Sequence, residues 1–317
     1  MGLSIFNSDK RVALAILSTI VILTPLGILN IAIHLNSAAG EAGTRAMQNF
    51  FNQKIQPLKK YDIVFLGDSR VLTGINPEFF EQKLHCSAYN ASFSGGGLNG
   101  QIYKHTAEKL LSSNTAAPRA VILGITAMNM GTAARGNYQY NQITKELLSQ
   151  RSNMISDYVE IPFQKIRTKD VKALFKKKKP TTVPYANGYL ERFAKVRKKA
   201  QESSIKAYTI SFKSYTFSQE SLQELIEYIK LWKNDNITVF AFRPPVNIAM
   251  DTLENESGKC DFALIRNSIE QAGGIWLDVD DRESYNSYDS SHLASHEAIR
   301  LSQDLSDKVA KHFQSRK

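Results

Sequence analysis

Cysteine is nearly absent from this chain of 317 residues: Cys86 and Cys260 are the only two. Two cysteines build no disulfide framework in a protein this size. A bridge and two ordinary buried thiols are both open, and buried thiols are the simpler expectation. Acid is also in short supply, with 30 Asp and Glu against 40 Lys and Arg, for a net charge of +10. The excess is local. Residues 165–200 carry 13 Lys and Arg, Lys176 to Lys179 among them, against Asp170 and Glu191, a net +11, and the rest of the chain comes to −1. Such a stretch on a near-neutral domain fits contact with anionic lipid headgroups or an acidic glycan, or else a solvated helical face. Internal repeats are missing, and the lysine run is the one low-complexity tract. A hydrophobic content of 43% suits one large globular domain with appendages.

Long apolar runs are missing too, with one exception. Val12 to Leu35 is about 24 residues without a fixed charge, enough to cross a ~30 Å hydrocarbon core as a helix. A cleaved signal peptide has a shorter apolar stretch of roughly 7–15 residues, although Ser37-Ala38-Ala39 would serve as a cleavage site. Lys10 and Arg11 precede the run, and Glu41 and Arg45 follow it. The positive-inside bias then places residues 1–11 in the cytoplasm, a transmembrane anchor at 12–35 and a stalk at 36–60. The rest, 61–317, falls on the extracytoplasmic, periplasmic side of the plasma (inner) membrane as a single-pass protein. Nucleic acid is not an expected partner for a basic stretch outside the cell.

From Tyr61 onward, short apolar runs alternate with helical patterns. Ile63 to Leu66, Ala88 to Phe93, Ala120 to Leu123, Ile237 to Phe242 and Ile275 to Leu277 read as strands buried on both faces. Leu222, Leu225, Ile226, Ile229 and Trp232 recur at helical spacing behind a Ser218 cap. Shorter helices are expected around Phe79 to Leu84, Tyr103 to Leu111 and Phe262 to Ile269. A long amphipathic one is expected from His292 to Phe313. The alternation predicts βαβ units and a five-stranded parallel sheet. The rhythm breaks at about 132–217, a polar, basic insertion with several helical stretches and no clear strand.

In a parallel sheet the loops after the strands share the carboxyl edge, where ligands bind. The loops here carry Gly67-Asp68-Ser69-Arg70, Ser94 to Gly97, Ala127 to Asn129, Arg243-Pro244-Pro245 and the stretch leading to Asp289 and His292. A serine hydroxyl becomes a competent nucleophile once a base takes its proton, and histidine suits that near neutrality. Asp289 lies three residues before His292, about one helical turn, and can fix the imidazole that faces Ser69. Donors for a tetrahedral oxyanion are sought in the Ser69 N–H, a backbone N–H among Gly95, Gly96 and Gly97, and the Asn129 amide. Arg70 and Arg243 are candidate substrate contacts, and Arg243 also suits a structural cap on a strand end. His292 and His296, four apart, together with Asp289 give a weaker metal-ligand reading. The sequence assigns no role to His34, His85, His105 or His312. No cofactor or metal is expected.

Gly67-Asp68-Ser69, the glycines Gly95 to Gly97, and Asp289 with His292 resemble blocks I, II and V of the SGNH/GDSL hydrolase superfamily. The resemblance spans roughly 61–131 and 218–314. It implies a three-layer α/β/α, flavodoxin-like sandwich with strand order 2-1-3-4-5, and a serine-dependent O-ester hydrolase or acyltransferase. Block III departs from the pattern: the position two after Gly124 holds Thr126, and Asn129 comes five after. The anchor and exported domain further resemble the branch acting on acyl groups of cell-envelope polysaccharides. An acylated glycan or other ester is then the expected substrate. A non-catalytic envelope assembly protein of the same fold and a lipid esterase are the alternatives. Under that strand order Cys86 and Cys260 lie at opposite margins of the sheet.

Overall fold

The structure, a computed structural model, describes residues 47, 49–55, 57, 59–94, 101–113, 118–131, 181–214 and 216–315. All of these except Met47 belong to one compact unit. The run Val12 to Leu35, Gly95 to Gly97 and Lys176 to Lys179 lie outside the described residues. Among the described residues no helix is long and apolar enough to cross a membrane.

Five of the apolar runs form one parallel sheet: β1 (Ile63–Leu66), β2 (Ala88–Asn90), β3 (Ala120–Gly124), and, beyond a separate hairpin of β4 and β5, β6 (Thr238–Phe242) and β7 (Ile275–Trp276). Their order is β2-β1-β3-β6-β7, which is 2-1-3-4-5 counted within the sheet. The period of two along each strand divides the core into two faces. Val64, Leu66, Val121, Leu123, Val239 and Ala241 belong to one core cluster, and Ile63, Phe65, Ala120, Ile122, Phe240 and Phe242 to the other.

The helices are α1 (Ser69–Gly74), α2 (Glu78–Leu84), α3 (Gln101–Leu110), α4 (Lys198–Ser211), α5 (Gln219–Asn234), α6 (Ile248–Glu256), α7 (Phe262–Gln271) and α8 (Ser295–Gln314). Leu222, Leu225 and Ile229 of α5, Ile265 and Ile269 of α7 and Leu110 of α3 pack on the first face. Phe80 of α2 and Leu301, Leu305 and Val309 of α8 pack on the second. Each such side chain, fully buried, contributes about 1.5–3 kcal/mol. The result is an α/β/α sandwich. Ser218 caps α5 by accepting from the Ser221 N–H. Cys86 and Cys260 are free thiols, and burial pushes both up to about 12.

Three expectations need correction. The last helix starts at Ser295 rather than His292, so His292 sits in the loop before it and does not share a helix with His296. The insertion does contain strands: β4 (Thr182–Pro184) and β5 (Leu190–Arg192) form an antiparallel hairpin, too short to leave an alternating pattern. Its tip bonds to β2 through Asn90 N–H to Asn187 O, 2.9 Å. Finally, residues 49–55 of the expected polar, partly helical stalk are helical as read but bury Phe50, Phe51 and Ile55. Phe51 stacks on Phe93, with centroids 6.0 Å apart, because a stretch this apolar gains more from the domain surface than from water. The neck of the insertion is closed by a bridge between Gly131 and Phe217.

Candidate active site

Gly67 follows β1 and Ser69 begins α1. The turn is tight because α1 lies directly over the strand ends: a Cβ on Gly67 or on Gly124 of β3 would overlap the Val71 side chain. Asp68 caps the helix, its carboxylate accepting from the Arg70 N–H at 2.9 Å. The other Asp68 oxygen accepts from Thr126 Oγ1 at 2.6 Å, which ties the loop after β1 to the loop after β3. Asn90, at the end of β2, donates to Val71 O and Ile75 O at 2.8 and 2.9 Å and holds the far end of α1.

The Ser69 hydroxyl lies 2.7 Å from His292 Nε2 across 223 residues of sequence. On the other side of the imidazole, Nδ1 stands 2.9 Å from Asp289 Oδ2 and 3.2 Å from Oδ1. Asp289 Oδ1 also accepts from the backbone N–H groups of His292, 2.8 Å, and Ser291, 3.1 Å. Burial works to raise the Asp289 carboxyl. The hydrogen bond and charge of His292, with the two backbone donors, outweigh burial and hold it below its ordinary value.

The geometry comes from a loop and not from a helical turn. Ser290 adopts a left-handed backbone, φ +73°, a conformation costly for a residue with a Cβ. Asn247 compensates by donating from Nδ2 to Ser290 Oγ at 2.7 Å and from its backbone N–H to Ser290 O at 3.3 Å. The reversal folds the Asp289 carboxylate back under the ring.

Arg70 and Arg243 turn their guanidinium groups inward. Arg70 Nη2 pairs with Glu254 Oε1 at 2.5 Å and its Nε donates to Ser291 Oγ at 3.0 Å. Arg243 Nη2 pairs with Glu254 Oε2 at 3.0 Å and Asp251 Oδ1 at 2.8 Å, over the Phe262 ring. Arg282 also pairs with Asp251. Burial pushes Arg70 down, but Glu254, Tyr208 and Asp68 together more than offset it. Burial lowers the more exposed Arg243 on balance, despite Glu254.

Asn129 is fully buried, its Oδ1 accepting from the Thr126 N–H at 2.9 Å and its Nδ2 donating to Gly124 O at 2.7 Å. The candidate oxyanion glycines, Gly95 to Gly97, fall outside the described residues. His296 is exposed and its partner is Glu297.

Several residues of the site escape the sequence reading. Tyr288 precedes Asp289 and Ser291 lies between Asp289 and His292, and adjacency is the one signal that points to them. Thr126, the residue two after Gly124, binds Asp68. Glu254, fully buried on α6, gives no signal, since its segment reads as a polar helix.

No protein-family model and no curated protein matches the chain. Three solved structures are weakly similar in fold. The "putative platelet activating factor" of Streptococcus pneumonia is 12% identical with a TM-score of 0.40, over 86% of this chain and 98% of that one. Est24, a carbohydrate acetylesterase from Sinorhizobium meliloti, is 14% identical with a TM-score of 0.35, over 78% and 98%. A family two carbohydrate esterase from Clostridium thermocellum is 10% identical with a TM-score of 0.33, over 81% and 64%. Similarity at this level leaves the site's own geometry as the ground for any function.

Proposed function

We propose that the chain is a serine-dependent O-acyl ester hydrolase or O-acyltransferase of SGNH type. The observation that carries this reading is the 2.7 Å separation of Ser69 Oγ and His292 Nε2, with Asp289 on the opposite ring nitrogen. With its proton on Nδ1 toward Asp289, the neutral imidazole presents Nε2 to accept the serine proton. Oγ then bonds to the ester carbonyl carbon, and the carbonyl electrons move to oxygen. When they return, the bond to the leaving alcohol breaks, His292 gives that alcohol the proton, and an acyl-serine remains. Water attacking the acyl-serine gives hydrolysis, and an acceptor hydroxyl gives transfer. In both cases His292 removes the attacker's proton and returns it to Ser69.

The Ser69 N–H heads α1 beside the developing oxyanion and is the donor we assign first, with Gly95 to Gly97 as the second set. The Asn129 amide already serves its own loop, which weighs against it. The substrate we assign is an acylated cell-envelope polysaccharide at the outer face of the plasma membrane. The chain would be held there by residues 12–35, with the basic stretch 165–200 against anionic lipid or glycan. A fluorophosphonate probe should label the purified chain, and Ser69→Ala should abolish labelling. A chain that neither labels nor cleaves acetyl esters would count against catalysis. Phospholipid-vesicle hydrolysis would redirect the substrate to lipid.

The inward engagement of Asn129 favours a second reading, a non-catalytic envelope assembly protein of the same fold. Full complementation of a deletion by both Ser69→Ala and His292→Ala, with failure of changes at Lys176 to Lys179, would establish it.

A further inference from the structure

Among the described residues of the insertion, helix α4 makes hydrogen bonds to the loop of the site. None of its residues is fully buried, and Tyr208 is its one side chain packed against a core cluster. Its polar contacts to the domain converge on one stretch. At its N-cap the Arg197 N–H reaches Tyr288 O at 3.5 Å, Gln201 Nε2 donates to Ser287 O at 3.0 Å, and the Tyr208 hydroxyl lies 2.9 Å from Ser291 Oγ. That stretch, 287–291, is the one that carries Asp289 and leads into His292.

Ser291 Oγ is also the acceptor for Arg70 Nε, and Arg70 is the residue after Ser69. A chain of hydrogen bonds therefore runs from the insertion, through the loop of the base, to the helix of the nucleophile. Its far end is rigid, because Arg70 is clamped by the fully buried Glu254 and Glu254 is held again by Arg243. Its middle needs support, because the Asp289–His292 loop contains the left-handed Ser290. A bare surface arm would have left these groups to water.

We propose that α4 is a positioning element of the site: Tyr208, through Ser291 and Arg70, fixes the loop of His292 against the helix of Ser69. None of the three side chains touches the reacting atoms. They set the gap between Oγ and Nε2, and an error of about 1 Å in such a gap can cost on the order of 10²-fold in rate. The proposal rests on Ser69 and His292 acting as nucleophile and base. It extends that reading by making the insertion part of the machinery, so that whatever α4 binds acts on the rate.

The test uses the full chain, with Tyr208→Phe, Ser291→Ala and the double variant. Ile210→Ser, at an exposed position of the same helix, is the control. The readouts are the KM for 4-nitrophenyl acetate, the kcat per fluorophosphonate-titratable serine and the Tm. Each single variant should lose about tenfold in kcat per titratable site with KM within about twofold. The double should be no slower than Ser291→Ala, since both changes act through one hydroxyl. Ile210→Ser should match the wild type. Unchanged kcat per titratable site, losses that multiply in the double, or a fall confined to the titratable fraction would each overturn the positioning role. A wild-type chain that neither labels nor turns over would sink the serine reading itself and this proposal with it. Should Ser291→Ala fail to fold, Tyr208→Phe alone decides, because it keeps the buried charges and the loop sequence.

Discussion

The Tyr288 ring lies nearly parallel to the His292 imidazole, centroids 5.8 Å apart and planes 16° from parallel. Arg192 of the hairpin sits over the same tyrosine at 5.0 Å. The contact restrains tilting of the imidazole, which a base serving both Ser69 and Asp289 requires. The Tyr288 hydroxyl is buried without a hydrogen-bond partner among the described residues, so the ring and not the hydroxyl is the useful part. Tyr288→Phe should keep acetyl-ester turnover within about twofold and leave Tm level or higher. Tyr288→Ala should lower turnover by at least about tenfold. Steady-state rates and thermal melts of both variants decide it.

Asp289→Asn keeps the shape of the loop but reverses the hydrogen-bond preference at Nδ1. Turnover should fall by about 10⁴-fold, read as the rate of probe labelling. The same carboxylate has a stability signature. Its native pKa lies below the unfolded value, so its contribution is complete above the ordinary carboxylate range, about pH 4, and disappears as pH falls through the native pKa. The stability gap between wild type and Asp289→Asn should therefore be constant at neutral pH and close under acid, measured by urea unfolding.

Glu254→Gln should be among the most destabilising single changes in the domain. It leaves Arg70 and Arg243 short of the one carboxylate they share, and breaking a buried pair costs about 3–5 kcal/mol. Arg266→Ala, at an exposed pair with Glu270, should cost roughly 0–1 kcal/mol. Urea midpoints of the two variants supply the comparison. Comparable losses would mean that Glu254 is not the keystone of the network.

Lys54 predicts a pH effect of the opposite sense. Its amine is buried, donating to Asn90 O and to Gly188 O at 2.7 Å, with Phe50 4.6 Å away. Burial holds its pKa well below that of an ordinary lysine. The unfolded chain then binds more protons than the native one, so stability rises with pH up to the free lysine value, about 10.4. Lys54→Met should flatten this rise, and the advantage of wild type over the variant should grow between about pH 8 and 10 in urea titrations.

Much of this was legible in the sequence because it is written in runs and periods. Ile63 to Leu66 and Ala120 to Leu123 can only be doubly buried strands, and Ser218 before Leu222 and Leu225 marks a helix start. Ser69, Asp289 and His292 were found because each lies where a strand's loop must open on the carboxyl edge. What stayed hidden depends on conformation without composition. A serine does not announce a positive φ, so the reversal at Ser290 read as a helical turn and the last helix was begun three residues early. Strands of three residues, Thr182–Pro184 and Leu190–Arg192, are shorter than any alternation. Glu254 is identical in sequence to a solvent-facing acid, and only the approach of Arg70 and Arg243 from other elements makes it internal.

The serine follows the first strand of the sheet, and its base arrives 223 residues later, just before the last helix. Synthesis therefore delivers the nucleophile 223 residues before the group that activates it. A chain interrupted before His292 carries an unactivated hydroxyl. On the proposed reading, competence appears in one step, when the C-terminal helix docks against α1 and α2. Quality control comes built in: a molecule that can react with an ester is one in which the loop after the first strand has already found the loop before α8.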